Sequence, residues 1–600
     1  MFASRPLRHR SRLWLFAALI GAAIAVVLIV PWSSGSSRAA ATPVNVFPIP
    51  GGRVAAPATQ LTFRGLPAAD LGTITVTGSK SGAHTGRVLS DSDGRGGSFI
   101  PTKAFDPGEQ VTVRTGLDIV GATNGAYSFT VATPAGAIRA AAPQRAPRVG
   151  GDVDHFVSAP QLMPAALTVT RQPSHTAPGD LFVAPQAGPV QYGPEILGPY
   201  GGLIWFKTVP KNESATDFRE QSYQGKPVLT WWQGTVNGGI GTGDDEIYNS
   251  SYQPVATVHA GNGLRADLHE FELTSQNTAL VTAYYPVHWD ASSVKHGTKG
   301  EIVLDAVAQE IDIPTGLVLY QWDSLDHVPL TASYQPAPTT GGHPYDYFHI
   351  NAISQAADGS IVVSARNTWS VYDLSHQTGA INWILGGRQT TFKMGPNTAF
   401  AFQHDARLSG SQITIFDDGA GPPIVHKRSR GITLRLDTVH KTATLVLQDE
   451  HQPGLLAEYE GSIQPLSNGD ALLGWGEQPF MTEFNSKGRP VFDARFVDLN
   501  STYRAFRFAW TGTPSTKPSA AEVVKGGKAT AYASWNGANT VARWRILGGS
   551  SATSLKPVAG GAHAAFETAV RLPHPETYIA AQALDAHGKV LGTSAPVKAS

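Results

Sequence analysis

No cysteine occurs in the 600-residue chain. Disulfides, thiolate zinc sites, iron–sulfur clusters and cysteine nucleophiles are therefore excluded, and any nucleophile must be His, Ser, Thr, Tyr, Lys or a carboxylate. Net charge is missing too, since 46 Lys+Arg face 46 Asp+Glu. Without a basic field the chain is not expected to bind nucleic acid. Charged residues make up only 15%, against about 25% in a typical soluble domain. That is too few for long surface helices laced with paired charges. Phosphate-cradling G-x-x-x-x-G-K-[ST] loops, the zinc motif H-E-x-x-H and the serine elbow G-x-S-x-G are absent, so nucleotide-driven and serine-hydrolase chemistry have no motif.

What the chain does have is turn chemistry, with Gly 63 and Pro 42, which favours many short strands over helices. At the N-terminus Arg5, Arg8, Arg10 and Arg12 precede an unbroken apolar run from Leu13 to Val30. A basic flank before such a run is an export signal. Its length exceeds a cleaved signal core and approaches a spanning helix, so residues 13–30 are expected to anchor the body outside the cytoplasm, or to be lost by cleavage near Arg38-Ala39-Ala40-Ala41.

Residues 43–147 alternate as short strands (Gln60-Leu61-Thr62-Phe63, Tyr127-Ser128-Phe129-Thr130-Val131) between Gly, Pro and Asp turns, which predicts a small β-sandwich. Asp91-Ser92-Asp93-Gly94 lacks the later bidentate Glu of a calcium loop and reads as a turn. A linker is expected at 148–179. Between 180 and 512 a weak repeat of about 50 to 70 residues recurs, as in Val371-Tyr372-Asp373-Leu374 before Ile381-Asn382-Trp383. Six such outer hairpins alternate with apolar strands taken as inner ones (Val228–Thr230, Ala279–Thr282, Ile361–Ser364, Ile413–Phe416, Ala471–Leu473). This predicts an all-β fold with a six-bladed propeller. Residues 513–600, with Tyr532-Ala533-Ser534-Trp535 and Tyr578–Ala583, read as a second sandwich, resembling immunoglobulin or fibronectin type III modules. Residues 1–42 form the export segment with its linker.

Equivalent positions of successive blades sit at equivalent depths around a propeller axis. His269, His349 and His404 share one register, each nine to twelve residues ahead of its apolar strand, so the three are expected to meet near one mouth of the channel. Arg366, beyond Ile361–Ala365, would add a planar fork of donors suited to a sulfate-like or phosphate-like oxyanion. Asn351, two residues past His349, would share its face and donate a further hydrogen bond. Trp231, Trp232, Tyr284, Tyr347 and Trp475 are read mainly as blade packing. Three histidines also suit zinc, but Arg366 would repel a cation, so neither metal nor cofactor is expected.

Five segments in order, Leu264–Phe271, Asp346–Ile353, Ser364–Thr368, Trp383–Gly387 and Gln403–Arg407, resemble the bacterial arylsulfotransferase family over about residues 180–512. The resemblance implies a six-bladed propeller that moves a sulfuryl group from a phenolic sulfate to a phenol, through a histidine and without phosphoadenosine phosphosulfate. By motif it makes His404 the nucleophile, with His269, His349, Asn351 and Arg366 holding the sulfuryl oxygens. Partners are then small phenols and aryl sulfates, and no sequence feature fixes an oligomeric state. The alternative is a non-catalytic surface protein that uses its propeller as a recognition platform.

Overall fold

A computed structural model of the chain describes residues 42–599, apart from 139, 140, 142, 144–146, 148, 340–342 and 498. The apolar run at 13–30, and with it the expected hydrophobic helix, lies outside the described residues. Among the described residues no helix is long and apolar enough to cross a membrane.

Strands dominate. Two four-stranded sheets of the N-terminal segment, one holding Leu61–Arg64 and Gly96–Pro101, the other Thr75–Gly78 and Gln110–Arg114, enclose Leu61, Phe63, Val111, Val113 and Phe129. The C-terminal segment repeats the device, with two sheets around Trp544, Ile546 and Ala581. In both, apolar residues alternate inward along each strand, as a half-buried sheet requires. Asp91 and Asp93 pair with Arg64 at 2.6 Å each, in a turn stitched to the propeller by Ser92 on Asp312.

Between the sandwiches the chain winds six blades around an axis: blades two and three share one eight-stranded sheet, joined where Gly243 pairs with Ala266, and the other four are sheets of four or five strands. Their innermost strands are Ser214–Tyr223 (blade two), Ala266–Leu273 (three), Ile350–Gln355 (four), His404–Ser409 (five), Ser462–Pro465 (six) and Phe506–Phe508 (one). Blade one closes the ring: Phe506–Phe508 pairs antiparallel with Asp180–Val183, so the end of the propeller segment completes the sheet its beginning started. A second closure comes from Leu167–Arg171, inside the stretch read as linker, which adds an outer strand to blade six. The strands read as inner from sequence are the second of each blade. One more strand lies inside each, and in blades two, three and five sequence periodicity hides it because it is broken by a bulge and carries charge.

Large side chains seal the blades to one another. Trp205, Phe218 and Trp231 stack between blades one and two, and burial of a ring such as Phe218 contributes about 1.5–3 kcal/mol. Buried indoles find acceptors, Trp232 on the Ala266 carbonyl at 3.0 Å and Trp322 on the Gly379 carbonyl at 3.1 Å, which avoids the penalty of an orphaned N–H.

Around the axis the packing turns ionic. The innermost strands bulge at Asp217, between Ala266 and Phe271, at Asn351 and at Asp405; Asp217 and Asp405 hold φ of 53° and 50°. Each bulge aspartate accepts the amide of the next blade's innermost strand, Asp217 from Phe271 at 3.1 Å and Asp405 from Ile463 at 3.0 Å. Two residues on, Arg219 and Arg407 turn back to the carboxylates: Arg219 pairs with Asp217 and Glu270, and Arg407 with Asp405, Glu270 and Glu272. Arg504, fully buried just before the closing strand, reaches Asp217 at 2.8 Å, Glu270 at 3.1 Å and the Asn351 carbonyl at 3.0 Å. Burial opposes ionisation of Glu270, but Arg407, Arg504 and Arg219 outweigh it and hold that carboxyl well below the usual range.

Removing one partner from a buried charge network strands the others. Arg504→Met is expected to cost about 3–5 kcal/mol, read as a lower midpoint for propeller unfolding in denaturant. An unchanged midpoint would mean that the carboxylates do not depend on this guanidinium.

Candidate active site

Directly above this ionic layer lie the three histidines, each fixed by its own carboxylate. His269 lies within the bulge of blade three, and its Nδ1 meets Asp267, whose other oxygen accepts the Gly241 amide at 2.6 Å. His349 precedes blade four with φ of 55°, a backbone region ordinary residues avoid, and its Nδ1 meets Asp346. His404 opens blade five, with Nδ1 at 2.9 Å from Asp418. His269 and His404 are buried. The rings converge: His269 and His349 stand 4.9 Å apart, and Tyr503 packs edge-on against both His269 and His404.

Arg366 joins them from the loop after the second strand of blade four. Its own amide donates to the His349 carbonyl, its guanidinium lies over Phe402, and Nη2 donates to the Glu458 carbonyl at 2.8 Å. Asn351 lies deeper. The bulge breaks the alternation that would have put it on the face of His349, and its Nδ2 donates to the Gln403 carbonyl at 2.7 Å. Its Oδ1 is buried without a partner, while its backbone carbonyl accepts from Tyr503 and Arg504. Of the aromatics noted in the sequence, only Tyr284 faces the cluster, 6.3 Å from His269 and 6.2 Å from His349. Trp231, Trp232, Tyr347 and Trp475 are packing residues.

The strap Glu458–Gly461 crosses the mouth. Besides taking Arg366, it donates the Glu460 amide to His404 Nε2 at 3.3 Å. That bond fixes the tautomer. An N–H donor requires a lone pair on Nε2, so the ring proton sits on Nδ1 and Asp418 accepts it. Burial, followed by the charge of Arg366 and the neighbouring histidines, pushes His404 well below the ordinary imidazole value. Burial likewise lowers His349, with Asp346 working against it. A neutral imidazole with a free Nε2 lone pair, beside a fixed cation, can attack an electrophile that carries negative oxygens. No three His, Asp or Glu side chains among the described residues converge as a metal ion would need.

Sequence reasoning missed Asp267, Asp346, Asp418, Tyr503 and the strap. Asp267 and Asp346 lie two and three positions before their histidines, a local spacing that signals an Nδ1 partner. Asp418, Tyr503 and Glu460 have no such local signal. A cavity of about 920 Å³ lies away from the cluster, where the N-terminal sandwich meets blades three and four. Its charges are internally matched, Arg64 with Asp91 and Asp93, Glu310 with His376.

Among solved structures, the chain resembles a protein of unknown function from Bacteroides caccae (12% identity, 55% of this chain and 100% of that one, TM-score 0.35). It also resembles TolB from Acinetobacter baumannii (11%, 55% and 66%, TM-score 0.31). A third is the extracellular domain of a hybrid two-component system from B. thetaiotaomicron (9%, 91% and 66%, TM-score 0.32). Comparison with curated proteins gives no significant match. Residues 219–497, which carry His269, His349, Asn351, Arg366 and His404, match the model of the Arylsulfotransferase (ASST) family.

Proposed function

We propose that the chain transfers a sulfuryl group from a phenolic sulfate ester to a phenol through a sulfohistidine on His404, without phosphoadenosine phosphosulfate. The observation that carries this reading is the neutral, Asp418-oriented imidazole whose Nε2 is capped by the same strap that holds the Arg366 guanidinium. A sulfate oxygen entering the mouth replaces the Glu458 carbonyl as acceptor for Arg366, a stronger partner because it is charged. The sulfur then faces Nε2 once the long bond from the Glu460 amide opens. His269 and His349 line the other side of the sulfuryl group, each held by its carboxylate. Nε2 attacks sulfur, the aryl oxygen departs, and a second phenol takes the group back, which splits one difficult displacement into two. The family supports phenols and aryl sulfates as substrates. The basic flank and apolar run before residue 31 support an extracytoplasmic location, anchored by residues 13–30 or secreted after cleavage.

Three outcomes are expected. Exposure to para-nitrophenyl sulfate adds one sulfuryl group in intact-mass spectra, lost again when a phenol is supplied; His404→Asn gains none, and an adduct on that variant would remove His404 from the mechanism. Because attack needs neutral His404 and burial lowers its pKa, the acid limb of single-turnover sulfation lies below the free-imidazole value of about 6.5; a limb at or above that value contradicts the neutral-imidazole account. Amino-terminal analysis of protein from the cell envelope finds residues 13–30 retained, whereas a mature chain starting near Ala41 would mean secretion.

A further inference from the structure

Sulfuryl transfer between phenols leaves a proton to be moved in each half-reaction, and the histidines just described are bound to their carboxylates through Nδ1. Glu460 lies against the nucleophilic ring. Its backbone amide caps His404 Nε2, and only three bonds separate the Cα of that residue from its carboxyl carbon. The carboxyl is enclosed: Oε1 accepts from Gln186 Nε2 at 2.7 Å, and Oε2 is buried without any partner. Glutamate is also an unusual occupant of φ 69°. Side chains other than Gly, Asn and Asp rarely adopt that conformation, and strain of this kind gathers at functional sites. The next residue, Gly461 at φ 108°, could not carry a side chain, since a Cβ there would meet the Phe416 ring at 2.4 Å.

From this geometry we infer that Glu460 is a catalytic acid and base of the sulfuryl transfer, its free Oε2 passing one proton to the departing phenol oxygen and taking one from the incoming phenol. This rests on the function proposed above. In the first half-reaction the Nε2 lone pair forms the N–S bond, and the S–O(aryl) pair stays with the phenol oxygen. The Glu460 proton moves to that oxygen, leaving the carboxylate. In the second, the carboxylate removes the acceptor's proton as its oxygen attacks sulfur, and the N–S pair returns to Nε2. No other reactant is consumed. Burial, with a smaller push from Glu477, raises the Glu460 carboxyl to about 8, so it is protonated at neutral pH and ready for the first step. The groups around it are Gln186, which bonds it, Glu477, which holds the Glu458 amide, the Tyr459 phenol and the neutral His404.

A series of donors tests this. Glu460→Gln preserves the shape and the Gln186 contact but has no proton to give. On para-nitrophenyl sulfate, whose phenolate leaves unaided, single-turnover release is expected to stay within about threefold of the unaltered protein, and on para-methylphenyl sulfate to drop about 10²-fold or more. Sulfation of the variant by the nitrophenyl donor also shows that His404 and the fold are intact. In the unaltered protein, release from para-methylphenyl sulfate falls as pH rises through about 8 while release from the nitrophenyl donor does not. Equal losses on both donors, with no divergence near that pH, would overturn the role of Glu460 while leaving sulfohistidine formation standing. Failure of the unaltered protein to take a sulfuryl group from either donor would overturn the underlying reading itself.

Discussion

Arg504 is the joint on which the propeller turns. One guanidinium, delivered by the segment that closes blade one, reaches Asp217 of blade two, Glu270 of blade three, the Asn351 carbonyl of blade four and, at 3.8 Å, Asp405 of blade five. Asp405 in turn accepts the Ile463 amide of blade six. All six innermost strands thus refer to one buried cation. Propeller axes are hard to fill with apolar side chains because six strands splay apart there; a planar fork of donors spans the gap in several directions at once. Arg219 and Arg407 bring the cations to three, against the four carboxylates Asp217, Glu270, Glu272 and Asp405. Such an arrangement gains little stability over an apolar core of the same volume, yet it fixes which strands meet and in what register.

That fixed register is what places the chemistry. Asp405, which bonds forward to blade six, directly follows His404; His269 lies inside the irregular stretch Ala266–Phe271 of blade three, and His349 stands one residue ahead of the shift between Ile350 and Ala352 in blade four. Glu270 follows His269 directly and Asp405 follows His404, so the ionic layer and the imidazole layer are consecutive residues of the same strands. Tyr503, adjacent to Arg504, packs against His269 and His404. Closure of the ring therefore both locks the axis and walls the site.

Much of this was legible in the sequence, for a physical reason. Repetition carries more information than local periodicity: His269, His349 and His404 recur at one offset from their apolar strands, and that offset survives gaps of a residue or two. Outer hairpins such as Val371–Leu374 were visible because they alternate cleanly. The innermost strands were not, since a bulge at Asp217 or Asp405 interrupts the two-residue period and charged residues replace the apolar face. Asn351 shows the cost. Counting two residues from His349 presumes an unbroken strand, and the bulge at that point turns its side chain to the Gln403 carbonyl. Long-range partners were equally hidden: Asp418 lies fourteen residues from His404 and the strap fifty-six, and both meet it only after blades five and six have folded.

The three imidazoles are chemically alike in sequence and unlike in place. His404 is fully enclosed and lies nearest in charge to Arg366, which favours the neutral ring and leaves the Nε2 lone pair to one long contact from the Glu460 amide. His349 is the more accessible of the three, and Asp346 partly offsets its burial. His269 sits against Tyr284, Tyr503 and His349, with an aspartate already engaged by the Gly241 amide. One cation, Arg366, serves the group, and its present acceptors are neutral, the Glu458 carbonyl of the strap and the Asn367 side-chain oxygen, rather than a carboxylate. A guanidinium held on a neutral acceptor keeps its full charge available to an anion, whereas one already paired to Asp or Glu, as Arg219, Arg407 and Arg504 are, does not. The fold thus spends three arginines on its own cohesion, and leaves the fourth where an arriving oxyanion gains most by displacing a weaker partner.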